Sequence, residues 1–338
     1  MNMPIKDTCS RPINYLRISV TDRCNLRCIY CQPEEGIKLM QHEDILTYEE
    51  IVRITQAAAE LGIAKVRLTG GEPLVRLNVT ALINDISKIK GIDDISLTTN
   101  GVLLADSAED LKKAGLKRVN VSLDTLKPDK FKMITRMGKF EQVMEGIEAA
   151  RKFGLVPVKI NVVAMRGVND DEILDFARLS MKEGWNIRFI ELMPFNGGNP
   201  PEEHNIGLGG QPQQFLSVSE IKGKIETLGR LEPVSGITGS GPAKYFRLAG
   251  ARGTLGFISP ISDHFCFSCN RLRLTADGKL RPCLLSDREI DLKVLVRSGA
   301  NMEQIKEKIV EAIKSKPRGH ELANGNKPEK RSMSQVGG

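Results

Sequence analysis

Three cysteines near the N-terminus, Cys24, Cys28 and Cys31, follow the spacing C-x3-C-x2-C. They come after a strand-like run at 15–20 and a short polar turn, so a loop leaving a strand can direct three thiolates toward one centre. Thiolates select zinc or iron–sulfur clusters. Closed structural sites use four ligands, whereas a metal that does chemistry keeps one position open, so three cysteines favour a reactive centre. A zinc knuckle and buried free thiols are the alternatives.

A second group of three cysteines, Cys266, Cys269 and Cys283, has the spacing C-x2-C-x13-C. A zinc ribbon would need a second C-x2-C pair or a pair of histidines. His264 is a candidate fourth ligand, which keeps a structural zinc site open as the alternative. The clustering of the cysteines fits metal ligation in a reducing compartment better than a disulfide framework.

Arg271 and Arg273 follow the second cysteine pair on a strand-like run. Side chains two residues apart on a strand point to the same face, so both guanidinium groups share one side. Arginine binds phosphate oxygens through two parallel hydrogen bonds, and a pair on one face therefore suits phosphate. An exposed basic strand face is the simpler interpretation of the same two residues.

The chain has 338 residues, enough for one large domain or a barrel with an appended part. Its net charge of +7 suits an anionic ligand such as a nucleotide phosphate, and the aromatic content of 5% leaves little for stacking on nucleic acid bases. No apolar run is long enough to span a bilayer, and residues 1–10 contain no apolar signal-peptide segment. We therefore expect a cytoplasmic protein that binds neither nucleic acid nor membrane.

The rest of the first half alternates between strand-like and helical segments, which predicts a parallel α/β sheet or barrel. The first helix is expected between Thr47 and about Leu61, because Thr47 and Glu50 form a capping box and Gly62 ends the apolar periodicity. Further strands are predicted at 65–69, 94–99, 118–123, 158–164 and 186–191, and further helices at 79–90, 105–114, 140–153 and 170–182. In barrels of this type ligands bind at the C-terminal ends of the strands, and six units are too few to close an eight-stranded ring.

The alternation stops after Pro194, where residues 195–212 are rich in Gly, Pro and Asn and predict a loop. A short helix capped by Ser217 and Glu220 should follow, and then strand-like pieces at 244–248 and 254–258. The expected division is a barrel core, a C-terminal region and a basic tail, at 1–194, 195–316 and 317–338.

The second predicted strand runs into Gly70-Gly71-Glu72-Pro73, and glycines at such an edge let backbone approach a ligand without a β-carbon in the way. A Gly-Gly turn alone is a weak signal, but this one lies about 40 residues after the cysteine loop. Together with Tyr30 before the last cysteine, the two motifs resemble those of the radical S-adenosylmethionine (SAM) enzymes. The resemblance implies a [4Fe–4S] cluster on Cys24, Cys28 and Cys31, with SAM on the fourth iron. It also implies a partial (β/α)6 barrel with one open side.

Three further stretches narrow the resemblance to the radical SAM enzymes that begin molybdenum cofactor biosynthesis. They are the run 189–194, the segment C-x2-C-N-R-L-R with its later cysteine, and the Gly-Gly end of the stretch 331–338. The resemblance implies a second [4Fe–4S] cluster on Cys266, Cys269 and Cys283, in an extension that covers the open side of the barrel. It also implies an electron donor, a downstream partner (cyclic pyranopterin monophosphate synthase) and a homodimer.

In these enzymes a 5′-deoxyadenosyl radical from SAM removes the ribose C3′ hydrogen of GTP, and the carbon radical closes onto guanine C8. The implied product is 3′,8-cyclo-7,8-dihydroguanosine 5′-triphosphate. The resemblance assigns SAM contacts to Tyr30, Gly71, Ser122 and Met193. It assigns GTP contacts to Arg17, Arg67, Thr98, Lys159, Arg271, Leu272 and Arg273.

The tail from 317 onward has no apolar stripe, which by itself predicts a disordered end. Gly337 and Gly338 carry no side chains, however, so the backbone there can enter a narrow channel. The hypothesis is that these two residues thread toward the active site and help to complete it.

Two other functions stay open on the sequence. One is a radical SAM enzyme with an auxiliary cluster that modifies a peptide. The other is a zinc-stapled module that binds nucleic acid, with zinc at both cysteine groups.

Overall fold

The computed structural model describes residues 3–194, 212–236, 241–320, 322 and 331–337. The predicted loop at 195–212 therefore lies almost entirely outside the described residues, as does Gly338. The described residues are organised around one twelve-stranded sheet.

Six parallel strands form the centre of this sheet, in the order in which they occur in the chain. Most of their residues are buried, as is usual for the strands of a parallel sheet. They are β1 (Tyr15–Ser19), β2 (Lys65–Thr69), β3 (Asp94–Thr99), β4 (Arg118–Ser122), β5 (Lys159–Ala164) and β6 (Asn186–Glu191). Each lies within one residue of its predicted bounds, and the α/β fold with a partial (β/α)6 barrel is confirmed.

The C-terminal region adds strands to both edges of this central sheet. Its strands are β7 (Leu231–Pro233), β8 (Lys244–Leu248), β9 (Thr254–Ile258), β10 (Arg271–Leu274), β11 (Lys279–Arg281) and β12 (Ile290–Asp291). β9 pairs in parallel with β6, and β10 pairs in parallel with β1. Cys266 and Cys269 therefore precede a strand that lies directly beside the strand preceding the first cysteine group, and Cys283 follows β11. The sheet continues across residue 194, and the proposed division of the chain stays a prediction.

The helices form the outer layer, and their apolar stripes pack against the sheet. They are α1 (Tyr48–Glu60), α2 (Val79–Ser87), α3 (Leu104–Lys113), α4 (Pro128–Thr135), α5 (Phe140–Lys152), α6 (Ile173–Lys182), α7 (Val218–Ile225), α8 (Leu292–Arg297) and α9 (Met302–Lys314). Both predicted capping boxes are present, at Thr47 with Glu50 and at Ser217 with Glu220. In α1, Ile51 and Ile54 are fully buried, which stabilises the fold by roughly 1.5–3 kcal/mol for each side chain.

Three helices were not predicted from the sequence: α8, α9 and α4. Of these, α4 contacts the first cysteine loop. It begins with Pro128 at its first turn, a favourable position for proline, and it buries Phe131 and Ile134. Its eight residues are too few for a clear period, so the apolar pattern did not separate it from a loop. Predicted ends also differ slightly: α2 stops at Ser87, and α6 starts at Ile173 after a 3-10 turn at Asp170–Glu172. Among the residues that the structure describes, no helix is long and apolar enough to cross a membrane.

Candidate active site

One cavity at the C-terminal ends of the parallel strands is lined by all six cysteines of the two groups. The loops after β1, β2, β3, β4 and β6 contribute to its wall, together with residues of the C-terminal region. This is the edge at which barrels of this kind bind their ligands. The two cysteine groups, distant in the chain, thus face one space.

The loop of Cys24, Cys28 and Cys31 is held by the end of α4. The N–H of Arg27 donates to the carbonyl of Thr135 at 3.0 Å, and the N–H of Ile29 donates to that of Ile134 at 2.9 Å. The Sγ of Cys24 accepts the N–H of Leu26 at 3.4 Å. Helix α4, which was not predicted from the sequence, therefore positions the first cysteine group.

The donor set of this loop fits an iron–sulfur cluster. Burial raises the pKa of Cys28 well above its ordinary value, and the charges of Cys31, Asp124 and Cys24 raise it further. Burial and the charge of Cys24 likewise raise the pKa of Cys31 to about 12. Buried thiols so close together ionise when a cationic centre compensates their charge, and iron supplies one.

No group of three or more His, Cys, Asp or Glu side chains within the described ranges is arranged to hold a single metal ion. A cluster makes a different demand, because each cysteine binds its own iron and the thiols need not converge on one point. His264, the candidate fourth ligand of a zinc site, lies edge-on to the ring of His320, with 4.7 Å between ring centroids.

The Gly70-Gly71-Glu72-Pro73 turn packs against the strand end that leads into the first cysteine loop. The N–H of Gly71 donates to the carbonyl of Thr21 at 2.8 Å, and a β-carbon on Gly71 would lie 2.4 Å from the carbonyl oxygen of Arg23. The Glu72 carboxylate accepts the N–H of Asn100 at 2.6 Å, and its burial raises the pKa of Glu72 to about 7. Only glycine fits at position 71, so the turn is locked between the loops after β1 and β3.

All four residues assigned to SAM contacts, Tyr30, Gly71, Ser122 and Met193, line the cavity. The hydroxyl of Tyr30 donates to Asp124 at 2.7 Å, and the other oxygen of Asp124 accepts the N–H of Val163 at 2.8 Å. The Tyr30 ring is therefore oriented by a buried carboxylate at the end of β4.

Arg17, Arg67 and Arg273 lie side by side on three neighbouring strands. The register pairs Arg17 with Arg273 on one side and with Arg67 on the other, and all three line the cavity. Burial lowers the pKa of Arg17 well below its ordinary value, and the charge of Arg273 lowers it further. Burial and the charge of Arg271 lower the pKa of Arg273 to about 9. An anion relieves this crowding of cations, so the row favours a polyanionic ligand.

Lys159 and Arg188 extend the basic region to β5 and β6. Burial lowers the pKa of Lys159 to about 7, with a further contribution from the charge of Arg188. Thr98 and Arg188 line the cavity, whereas Lys159 is not among the lining residues. Two guanidinium nitrogens of Arg188, Nε and Nη2, are buried with no hydrogen-bond partner among the described residues. The sequence prediction missed Arg188, although a charged residue inside a buried parallel strand was a usable signal.

The second cysteine group lies among basic side chains. Burial opposes ionisation of Cys269, but the charges of Arg271 and Lys316 lower its pKa to about 6. Arg271 lies over the ring of Phe265, 5.1 Å from its centroid, and lines the cavity. The prediction for Leu272 needs correction: its side chain is fully buried in the core and absent from the cavity wall. It points to the opposite face of β10 from Arg271 and Arg273, so its side chain is not a ligand contact.

The tail reaches the same strand ends. Gly337 adopts a left-handed conformation with φ of +68°, and a β-carbon there would lie 3.0 Å from Cγ2 of Thr69 and 3.3 Å from Cβ of Ser19. Val336 is buried against Leu285 in a small apolar cluster that also includes Met193 and Cys283. Gly337 thus lies against the ends of β1 and β2, Gly338 lies outside the described residues, and the role of the two glycines in completing the site stays a prediction.

Comparison with known proteins identifies two matching family models. Residues 18–180 match the Radical SAM superfamily, and residues 185–322 match Molybdenum Cofactor Synthesis C. The GTP 3′,8-cyclase of Thermodesulfovibrio yellowstonii is 54% identical, over 99% of this chain and 100% of that protein. The GTP 3′,8-cyclase of Moorella thermoacetica is 52% identical, over 99% and 100%.

Among solved structures, Streptococcus suis SuiB bound to S-adenosylmethionine is similar, with a TM-score of 0.57. The sequence identity is 14%, and the similarity covers 86% of this chain and 66% of that one. This likeness concerns the fold alone.

Proposed function

The chain belongs to the GTP 3′,8-cyclase family of radical SAM enzymes, and we infer that it carries out the first step of molybdenum cofactor biosynthesis. The reaction removes the ribose C3′ hydrogen of GTP and joins C3′ to guanine C8, which gives 3′,8-cyclo-7,8-dihydroguanosine 5′-triphosphate. One observation carries the inference to this chain: a single cavity is lined by both cysteine groups, the Gly-Gly-Glu-Pro turn and the arginine row.

Radical SAM enzymes use a [4Fe–4S] cluster and SAM, and in this chain Cys24, Cys28 and Cys31 would hold the cluster. When bound, the cluster and SAM supply the one-electron chemistry that abstracts a hydrogen atom. Tyr30, Gly71, Ser122 and Met193 would hold SAM. The protein contributes by positioning SAM, because the Tyr30–Asp124 hydrogen bond and the close packing of Gly71 leave these contact residues little freedom to move.

A second [4Fe–4S] cluster on Cys266, Cys269 and Cys283 is the next part of the proposal. The lowered pKa of Cys269 and the three half-buried thiols on one cavity wall support it. This cluster would hold the purine ring of GTP so that C8 faces the ribose.

The triphosphate of GTP would bind the arginine row. Arg17, Arg67 and Arg273 supply cations on neighbouring strands, and Arg271 and Thr98 lie on the same wall. Lys159 on β5 adds positive potential, and Arg188 adds two guanidinium nitrogens that have no hydrogen-bond partner among the described residues. Guanidinium groups bind phosphate oxygens strongly and with defined geometry. Close placement of GTP and SAM in one cavity is what the reaction needs, since a reactive radical attacks the nearest C–H bond.

The expected partners beyond GTP are an electron donor, the downstream cyclic pyranopterin monophosphate synthase and a second copy of the chain. A cytoplasmic location is proposed because two groups of free thiols need a reducing compartment.

The test is anaerobic reconstitution with iron and sulfide, followed by metal analysis and by SAM and GTP turnover on the same sample. Two clusters per chain and GTP-dependent formation of the cyclised product are expected. A colourless protein that contains zinc without sulfide would instead indicate a zinc-stapled module. Two clusters with SAM cleavage but no GTP binding would indicate a radical SAM enzyme with another substrate. The Cys9→Ala variant changes an exposed cysteine outside both groups. It is the control and should behave like the unchanged protein in each measurement.

A further inference from the structure

Lys316 is a buried cation that joins two segments of the second cysteine group. Its Nζ donates to the carbonyl oxygen of Arg271 at 2.8 Å and to that of Pro282 at 2.6 Å. Lys316 is only 4% exposed, and it lines the cavity. Arg271 follows Cys269 by two residues, and Pro282 directly precedes Cys283. The lysine therefore ties together the backbone beside two of the three cysteines.

Arg11 binds the backbone at the remaining cysteine, Cys266, and at the residue after Lys316. Its Nη1 donates to the carbonyl oxygen of Cys266 at 2.6 Å, and its Nη2 donates to that of Pro317 at 2.7 Å. Arg11 is buried and forms an ion pair with Asp7 at 2.6 Å. Pro317 follows Lys316 directly, so the N-terminal segment fixes the backbone that carries the lysine. Two buried cations from opposite ends of the chain thus brace all three cysteine segments.

The position of Lys316 calls for an anion in the cavity. A buried ammonium group is unfavourable unless charge or hydrogen bonds compensate it, and carbonyl oxygens supply only partial charge. Those two carbonyls use two of its three N–H bonds, which leaves one for a further acceptor. Cys269 and Cys283, once ionised as cluster ligands, would attract this ammonium electrostatically. A cluster bound by these thiolates would bring more negative charge to the same place.

We propose that Lys316, held by Arg11, is a positioning residue of the second cluster. It sets the spacing of the cysteine segments, and it stabilises the negative charge that the cluster gains on reduction. Net charge and hydrogen bonds around a cluster set its reduction potential, and outer partners of this kind strengthen metal retention. Loss of the lysine should therefore make the potential more negative and weaken retention. The inference rests on the second cluster of the proposed function.

The experiment isolates the second cluster in a Cys24→Ala, Cys28→Ala, Cys31→Ala background. Four forms of this chain are compared after anaerobic reconstitution: the background itself, Lys316→Met, Lys316→Arg and Lys308→Met. Lys308 is the control because it is an exposed lysine of α9 paired with Glu311. The readouts are iron and sulfide per chain, the rate of iron release to a chelator, the potential from an EPR-monitored redox titration, and circular dichroism for folding.

The Met variant should release iron roughly tenfold faster and titrate at a more negative potential. The Arg variant, which keeps the charge, and the Lys308→Met control should stay near the background. Unchanged release and potential in Lys316→Met would overturn the inference, and so would equal losses in the Met and Arg variants. If the background itself bound no cluster, the proposed second cluster would fail, and that result is separate from a failure of Lys316.

Discussion

Arg273 donates a hydrogen bond of 2.7 Å from Nη1 to the carbonyl oxygen of Gly337. An arginine assigned to the phosphates of GTP thus also holds the end of the tail. Arg331, at the start of the described tail segment, forms ion pairs with Asp277 at 2.9 Å and with Glu289 at 2.5 Å. The described tail segment is anchored at both ends to the hairpin that carries Arg271 and Arg273, so the proposed anion site and the tail share one structural support.

Gly337→Ala should lower cyclisation while both clusters assemble. The φ of +68° costs a residue with a β-carbon about 1–2 kcal/mol, and the new methyl group would also crowd Thr69. A weakening of tail docking by that amount predicts a loss of roughly 5–30-fold in product per intact cluster. Gly299→Ala is the matched control, because Gly299 has φ of +83° with nothing within 4 Å of the added carbon. Equal turnover of the two variants would return the tail to a passive role, and deletion of Gly337 and Gly338 should be more severe than either.

Alanine substitutions in the two cysteine groups should affect the reaction in different ways. Alanine at Cys24, Cys28 or Cys31 should abolish reductive cleavage of SAM, because these residues would hold the cluster that supplies the electron. Alanine at the second group, Cys266, Cys269 or Cys283, should leave some uncoupled cleavage but no cyclised product. The measurement is 5′-deoxyadenosine and cyclised nucleotide from the same reaction. Full activity of the second set would contradict its proposed role in holding GTP.

Arg271→Ala and Arg273→Ala should each weaken GTP binding by roughly 1.5–3 kcal/mol, because charge-assisted hydrogen bonds in a partly desolvated site are lost. SAM affinity should hardly change. Arg273→Ala should also lose more turnover than its GTP affinity explains, since the tail loses its anchor. Isothermal titration with both ligands is the test, with Arg297→Ala, a half-exposed arginine paired with Glu50, as control. An equal loss for GTP and SAM would point to misfolding.

Arg188→Met should change stability and binding in opposite directions. It removes a buried cation, two of whose nitrogens have no hydrogen-bond partner in the part of the chain that the structure describes, so the nucleotide-free protein should gain about 1–3 kcal/mol in its free energy of unfolding. GTP should bind more weakly. Arg118→Met is the contrasting variant, because it breaks a buried ion pair with Asp94 at 2.5 Å and should destabilise the fold. Thermal unfolding with and without GTP measures both effects, and a less stable Arg188→Met protein with normal GTP affinity would contradict this assignment.

GTP affinity should fall as the pH rises through about 7. Burial lowers the pKa of Lys159 from 10.5 to about 7, so this ammonium is lost over that range, and with it a cation near the phosphates. In the nucleotide-free protein, the effect of rising pH on the free energy of unfolding has the opposite sign. Between about pH 7 and 10.5 the unfolded chain binds more protons than the folded one at Lys159, so stability rises with pH.

Calorimetric titration of GTP at several pH values, with thermal unfolding alongside, tests both trends. Lys159→Met should remove the contribution of this residue to each, while the ionisation of GTP itself stays common to both proteins. Identical pH profiles for the two proteins would show that Lys159 does not titrate in this range.

The sequence by itself determined the local parts of this protein. These parts depend only on residues close together in the sequence. They are the capping boxes at Thr47 and Ser217, the bounds of the six central strands and the spacing of the cysteines. Such features can be predicted from sequence because capping hydrogen bonds and apolar periodicity involve residues that are near neighbours in the chain. The family resemblance rested on the same short motifs.

Only the tertiary structure decided which distant residues meet. The pairing of β10 with β1 put Arg273 beside Arg17, and the docking of α4 set the first cysteine loop. The tertiary structure also placed Lys316 against the second cysteine group and directed the side chain of Leu272 into the core. Strand register and burial come from packing summed over the whole sheet, and a shift of one residue reverses which face a side chain occupies, so no local pattern specifies them.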